Sequence, residues 1–209
     1  MRIADLPFPD TPAAVAAVDV AMAYCSPALL NHSIRSWLWA RGFADLEERR
    51  SFDDELLFVS ALLHDLGLTE GFDHHTLPFE VAGGHVGWVL TAGAGWDVTR
   101  RGRVAQVIEW HMWTSVDPEI DVEGYLLETA TGFDISGSRP DALPGSFVRE
   151  VMERYPRLDL NQEFGRRMSV QATRVPRSAA ERLVLGGLVD RLDRNPLNLQ
   201  PPATRPVRE

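Results

Sequence analysis

The segment Leu62-Leu63-His64-Asp65-Leu66-Gly67 (LLHDLG) decides how this sequence is read. It closes an apolar run of Leu56, Leu57, Val59, Leu62, Leu63 and Leu66. That spacing predicts a helix, opened by Ser51 and Asp54 at capping-box distance and ended by Gly67. Successive helical residues point about 100° apart, so neighbours such as His64 and Asp65 do not share a target inside a regular helix. At a helix end the last turn can open, and the two can then reach one point from different sides. An ionised Asp beside a His among leucines needs compensation, because a buried unpaired carboxylate is very costly. A divalent cation supplies it, and imidazole with carboxylate suits zinc, iron, manganese or nickel better than calcium. Taken alone, the pair leaves a second reading open: Asp65 solvated at the helix end and His64 a satisfied core histidine.

Outward from this segment the pattern stays helical. Thr11-Pro12 and Ser26-Pro27 are start signals, for helices running to about Cys25 and Gly42. Further helices are expected over 78–90 (despite Gly83, Gly84 and Gly87), from Asp97 to Met112, from Pro118 to Phe133, and over 146–154, 159–172 and 178–193. Strand alternation and repeats are lacking. The expectation is an all-α fold: one helical domain over residues 1–194, followed by a Pro/Arg-rich, extended tail over 195–209.

Four of the six histidines, His32, His64, His85 and His111, are dispersed over predicted helices. His32 lies in NHSIRSWLWARG (31–42), and Asp134 lies in TGFDISG (131–137), just past an apolar helix. The order His … His-Asp … Asp, with the pair closing an apolar helix, resembles the HD-domain superfamily of helical metalloenzymes over about residues 27–137. The resemblance implies an HD-domain helical bundle with a metal held by His32, His64, Asp65 and Asp134. Shorter strings are similar to the cyanamide-hydratase-like branch: HSxR at His32–Arg35, PFExxGG at Pro78–Gly84, EWH at Glu109–His111 and RVPRSAAERL at Arg174–Leu183. That branch adds water to a small nitrile-like carbon at a zinc site. The implied activity is metal-dependent hydration or hydrolysis of a small-molecule substrate. Zinc is the favoured ion, with iron, manganese or nickel as alternatives.

His85 and His111 fall between the HD pair and Asp134, where dinuclear relatives hold a second metal. Three readings compete: both are ligands of a second ion, both are proton-transferring and substrate-orienting groups around one metal, or one of them is structural. Arg35, one turn after His32, is a candidate substrate-binding residue or an ion-pair partner. Glu80 and Glu128 are each either acceptors behind a ligand histidine or solvated. Trp110 and Trp113 flank His111 and suit a narrow, apolar pocket. Such a pocket favours a small, weakly charged substrate. The alternatives are an HD-type phosphohydrolase, a diiron oxygenase using both extra histidines, and a non-catalytic sensor domain.

Composition bounds the rest. The net charge is −9 and the chain contains no Lys. Neither nucleic acid nor an anionic membrane is an expected partner, and a Schiff-base or P-loop lysine is excluded. The single Cys25 excludes an internal disulfide and a cysteine zinc cluster. With no signal peptide and no bilayer-length apolar run, a cytoplasmic location is expected. The sequence leaves the oligomeric state open.

Overall fold

The structure is a computed structural model and describes residues 1–199. Among these, ten α-helices and no strands occur: α1 (Pro12–Tyr24), α2 (Pro27–Leu46), α3 (Asp54–Leu63), α4 (Phe79–Gly93), α5 (Val98–Trp110), α6 (Val122–Ser136), α7 (Gly145–Arg154), α8 (Leu160–Arg174), α9 (Ala179–Leu185) and α10 (Leu188–Asp193). The all-α expectation holds.

The caps explain the boundaries. Thr11, Ser26, Asp97 and Ser178 each accept a backbone N–H of the first turn they precede. Two starts differ from expectation. Asp53, rather than Ser51, caps α3, and Asp121 caps α6, which starts at Val122 rather than at the anticipated Pro118. The helix anticipated over 178–193 is two helices, because Gly187 adopts a left-handed φ of +82° and breaks the run.

α3 is apolar on every side because it is enclosed on every side. All residues from Leu56 to Leu63 are buried, and α1, α2, α4, α5 and α6 pack around it. α2 lies against α6 and buries Trp37, Trp39 and Phe43 completely. α4 rides close to α5 on its glycines. A Cβ on Gly87 would sit 2.8 Å from side-chain carbons of Val104 and Ile108. Cys25 is half-buried, and burial pushes its thiol up to about 12.

The segment after α10 differs from an extended tail. Asn195 is buried and donates to the carbonyls of Asp134 (2.7 Å) and Ile135 (3.2 Å). Pro196–Leu199 forms a 3₁₀ turn that buries Leu197. Residues 200–209 of the expected tail lie outside the described residues. No described helix is long and apolar enough to cross a membrane.

Candidate metal centre

α3 ends at His64, and the chain leaves helical geometry at Asp65 (φ −102°, ψ 7°) before a 3₁₀ turn over Leu66–Leu68. The opened turn lets the two adjacent side chains face one point. Gly67 makes the turn possible: a Cβ there would lie 2.1 Å from the carbonyl oxygen of Phe79 at the start of α4. His111 occupies the same position at the end of α5 that His64 occupies at the end of α3. His32 comes from the second turn of α2.

The three imidazoles share one hydrogen-bonding logic. His64 Nδ1 donates to the Ala61 carbonyl (2.7 Å), and His111 Nδ1 donates to the Ile108 carbonyl. His32 Nδ1 donates to Asp134 Oδ2 (2.7 Å). With Nδ1 carrying the proton, each Nε2 presents a lone pair. His32 Nε2 and His64 Nε2 stand 3.1 Å apart, and Asp65 Oδ2 is 3.3 Å from both. His111 Nε2 lies 3.9 Å from Asp65 Oδ1. Asp65 is 1% exposed, and neither of its carboxylate oxygens has a hydrogen-bond donor.

Two lone pairs and an unpartnered buried carboxylate, all within 4.8 Å of one another, repel unless a cation lies among them. His32, His64 and Asp65 thus form a triad able to hold a divalent metal, and nitrogen and oxygen donors of this kind fit zinc. The electrostatics register the same demand for positive charge. Burial opposes a charge on His32, but Asp134 and then Asp65 raise it. Burial opposes ionisation of Asp65, but His64 and then His32 outweigh it and hold the carboxyl far below the usual range. Burial, reinforced by His64, draws His111 down to about 3, so its ring is neutral at physiological pH.

Asp134, anticipated beside these residues, stands behind His32. Its oxygens accept Arg35 Nε (2.8 Å) and Nη2 (2.7 Å), Trp39 Nε1 (2.7 Å) and His32 Nδ1. Burial opposes its ionisation, but Arg35 and His32 hold it well below the ordinary value. Every strong acceptor direction is used, so its place is to fix the tautomer and angle of His32. Arg35 departs from the substrate-binding expectation. It is fully buried and spent on Asp134 and the carbonyls of Tyr155 and Pro156. His85 departs further. It is exposed on α4, on the opposite side from Gly83 and Gly87, which pack inward. His74 and His75 are exposed, in keeping with a solvated loop.

The triad and His111 form one wall of a cavity of about 200 Å³, below the usual 300–1,000 Å³ of ligand pockets. Met112, Ile135, Phe164 and Leu183 make much of the remainder apolar, and Phe164 meets the His32 ring edge-on at 5.9 Å. Trp113 lines the cavity while half exposed and stacks on Trp110 at 4.3 Å. Arg182 is the one guanidinium among the lining residues, and it donates to the Met112 carbonyl. Glu128 also lines the cavity, and burial pushes its carboxyl up to about 7. Sequence reasoning left Glu128 undecided and passed over Phe164 and Arg182. Arg182 did carry a signal, since it falls within the RVPRSAAERL stretch.

Residues 29–127 match the family model of the HD domain. The chain is also similar to the cyanamide hydratases DDI2 and DDI3 of Saccharomyces cerevisiae. Each is 28% identical over 151 residues, covering 71% of this chain and 67% of the relative. The opened His64-Asp65 turn and its convergence with His32 agree with that match: residues 29–127 are similar to an HD domain.

Proposed function

We propose that the chain is a metal-dependent hydratase that adds water to a small nitrile-like substrate of the cyanamide class, with one zinc ion on His32, His64 and Asp65. The observation that carries this reading is the donorless, buried Asp65 carboxylate facing two imidazole lone pairs on the wall of a small, largely apolar cavity. The similarity to proteins named as cyanamide hydratases supports it.

A divalent ion in this cup supplies Lewis acidity and a water acidified toward neutrality. The protein's own groups do the rest. Asp134 keeps the His32 proton on Nδ1 and its Nε2 lone pair on the cavity side. His111, neutral and with a free Nε2, would orient a molecule bound against Asp65 by accepting a hydrogen bond. The apolar walls exclude bulk water and suit an uncharged substrate of a few heavy atoms.

The dinuclear alternatives need His85 at the cavity, and it lies on the outer face of α4. Phosphate esters call for several cationic contacts, and the cavity offers Arg182 alone, already bonded to a carbonyl. The test is elemental analysis of the purified protein alongside turnover of cyanamide to urea and of phosphate esters to phosphate. One ion per chain and chelator-sensitive, zinc-restored urea formation are expected. Two ions per chain, or phosphate release without urea, would overturn the reading.

A further inference from the structure

Glu128 is, with Asp65, one of two carboxyls that line the cavity. It lies on a stripe of α6, Glu128–Thr131–Gly132–Ile135, whose spacing of three, four and seven residues turns all four toward the cavity. No guanidinium or imidazole holds it. Burial raises it, and a hydrogen bond with Thr129 is the single opposing influence. An ionised carboxylate buried in part against apolar walls, with no ion-pair partner of its own, is costly, which favours the carboxylic acid. Its pKa of about 7 agrees with that geometry.

The other ionisable groups of the cavity are committed elsewhere, and Thr114, Thr131 and Ser136 supply only hydroxyls, which are far weaker acids. His32 from α2, His64 after α3 and His111 after α5 each carry one N–H, committed to Asp134, Ala61 and Ile108 respectively. Asp65 is ionised. Arg182 from α9 cannot lose its proton. Glu128 is left as the acid.

We propose that Glu128 is the proton-transferring catalytic residue of this cavity, giving its carboxyl proton to the substrate nitrogen as water adds to the carbon. The inference rests on the hydration reading above. The water oxygen bonds to the nitrile carbon, and one carbon–nitrogen π bond breaks. Its electron pair moves to nitrogen, which takes the proton of Glu128. The proton lost by the water restores the acid on Glu128. The resulting O–H imidic acid becomes the amide when its hydroxyl proton moves to nitrogen.

The test uses the metal-loaded protein and Glu128→Gln, which keeps shape and loses the exchangeable proton. The variant is expected to keep its metal and its KM for cyanamide within a few-fold. Its kcat should fall by about 10²–10⁴-fold, the usual contribution of a positioned acid. Carbon-13 NMR of glutamate-labelled wild type gives a readout independent of turnover. One carboxyl resonance, absent from Glu128→Gln and from Glu128→Asp, should titrate near pH 7. Wild type that titrates so but hydrates no nitrile would overturn the hydration reading and still support an acid at Glu128. A variant turning over within a few-fold of wild type, one that loses its metal, or a Glu128 resonance titrating at the ordinary value of about 4.3 would each overturn the proposal.

Discussion

Asp134 Oδ2 accepts the Nδ1 proton of His32 at 2.7 Å with both side chains shut off from solvent, and that bond decides which His32 nitrogen faces the cavity. The same carboxylate neutralises the buried Arg35. Asp134→Asn should therefore do two separable things. Metal affinity should fall about 10–100-fold, as when an outer partner of a ligand histidine is lost. Stability should fall by about 3–5 kcal/mol, because Arg35 is left buried without a counter-charge. A competition titration with a metal indicator and a urea unfolding curve measure the two. Unchanged values in both would show that the bond is dispensable.

The histidines should divide sharply. His64→Ala and Asp65→Ala should abolish stoichiometric metal in a folded protein, since each removes a member of the triad. His85→Ala should leave metal content unchanged and stability within about 0.5 kcal/mol of wild type, as befits an exposed residue. Elemental analysis with thermal melts of the three variants checks this. Metal loss from His85→Ala would reinstate a second-ion role for that residue.

Gly67→Ala should damage the site without touching a ligand. The added methyl would meet the Phe79 carbonyl at 2.1 Å, and backbone cannot yield as a flexible side chain can. A loss of about 1–3 kcal/mol is expected from such overpacking, with weakened metal retention as the His64-Asp65 turn shifts. Denaturation and metal content of the variant decide it, and wild-type values in both would refute the steric argument.

Glu128 gives a stability signature with a defined sign. Its folded pKa, pushed up to about 7 by burial, lies above that of an unfolded glutamate. The unfolded chain therefore releases this proton at lower pH, and the folded state is penalised as pH rises. The penalty is absent below about pH 4, grows to about pH 7 and is constant above. Glu128→Gln removes it. The variant should gain about 1–2 kcal/mol at pH 8, once screening of a half-buried group is allowed for, and nothing at pH 4. Melting curves at both values test this; equal shifts at the two would exclude a raised pKa.

The fold was legible where local chemistry decides it. Thr11, Ser26, Asp97 and Ser178 are short polar caps before helical runs, and each caps as read. LLHDLG announced a helix end that brings two neighbours to one point, and the chain opens there. What stayed hidden depends on which face of a helix is covered. His85 lies two residues from both Gly83 and Gly87, about 200° round the helix from the first. The glycines do mark a close packing face, but position 85 lies on the side away from it and takes no part in that packing. The distribution of work between Asp134 and His111 was not legible at all. It depends on how α6 sits against α2, where Arg35 and Trp39 draw the Asp134 carboxylate away from the cavity. Glu128 is hidden for a related reason, because its meaning comes from burial without an ion-pair partner of its own.

The clasp of Asn195 on the Asp134 carbonyl bears on how this protein is born. Asp134 steadies His32, and Asn195 in turn steadies the end of α6 that carries Asp134. Synthesis proceeds from the N-terminus, so His32, His64 and Asp65 leave the ribosome long before either support exists. Between the making of Asp65 and of Asn195 the nascent chain carries these side chains without the full framework that aims them. Secure capture of an ion would then wait until Asn195 has been made, 130 residues after Asp65.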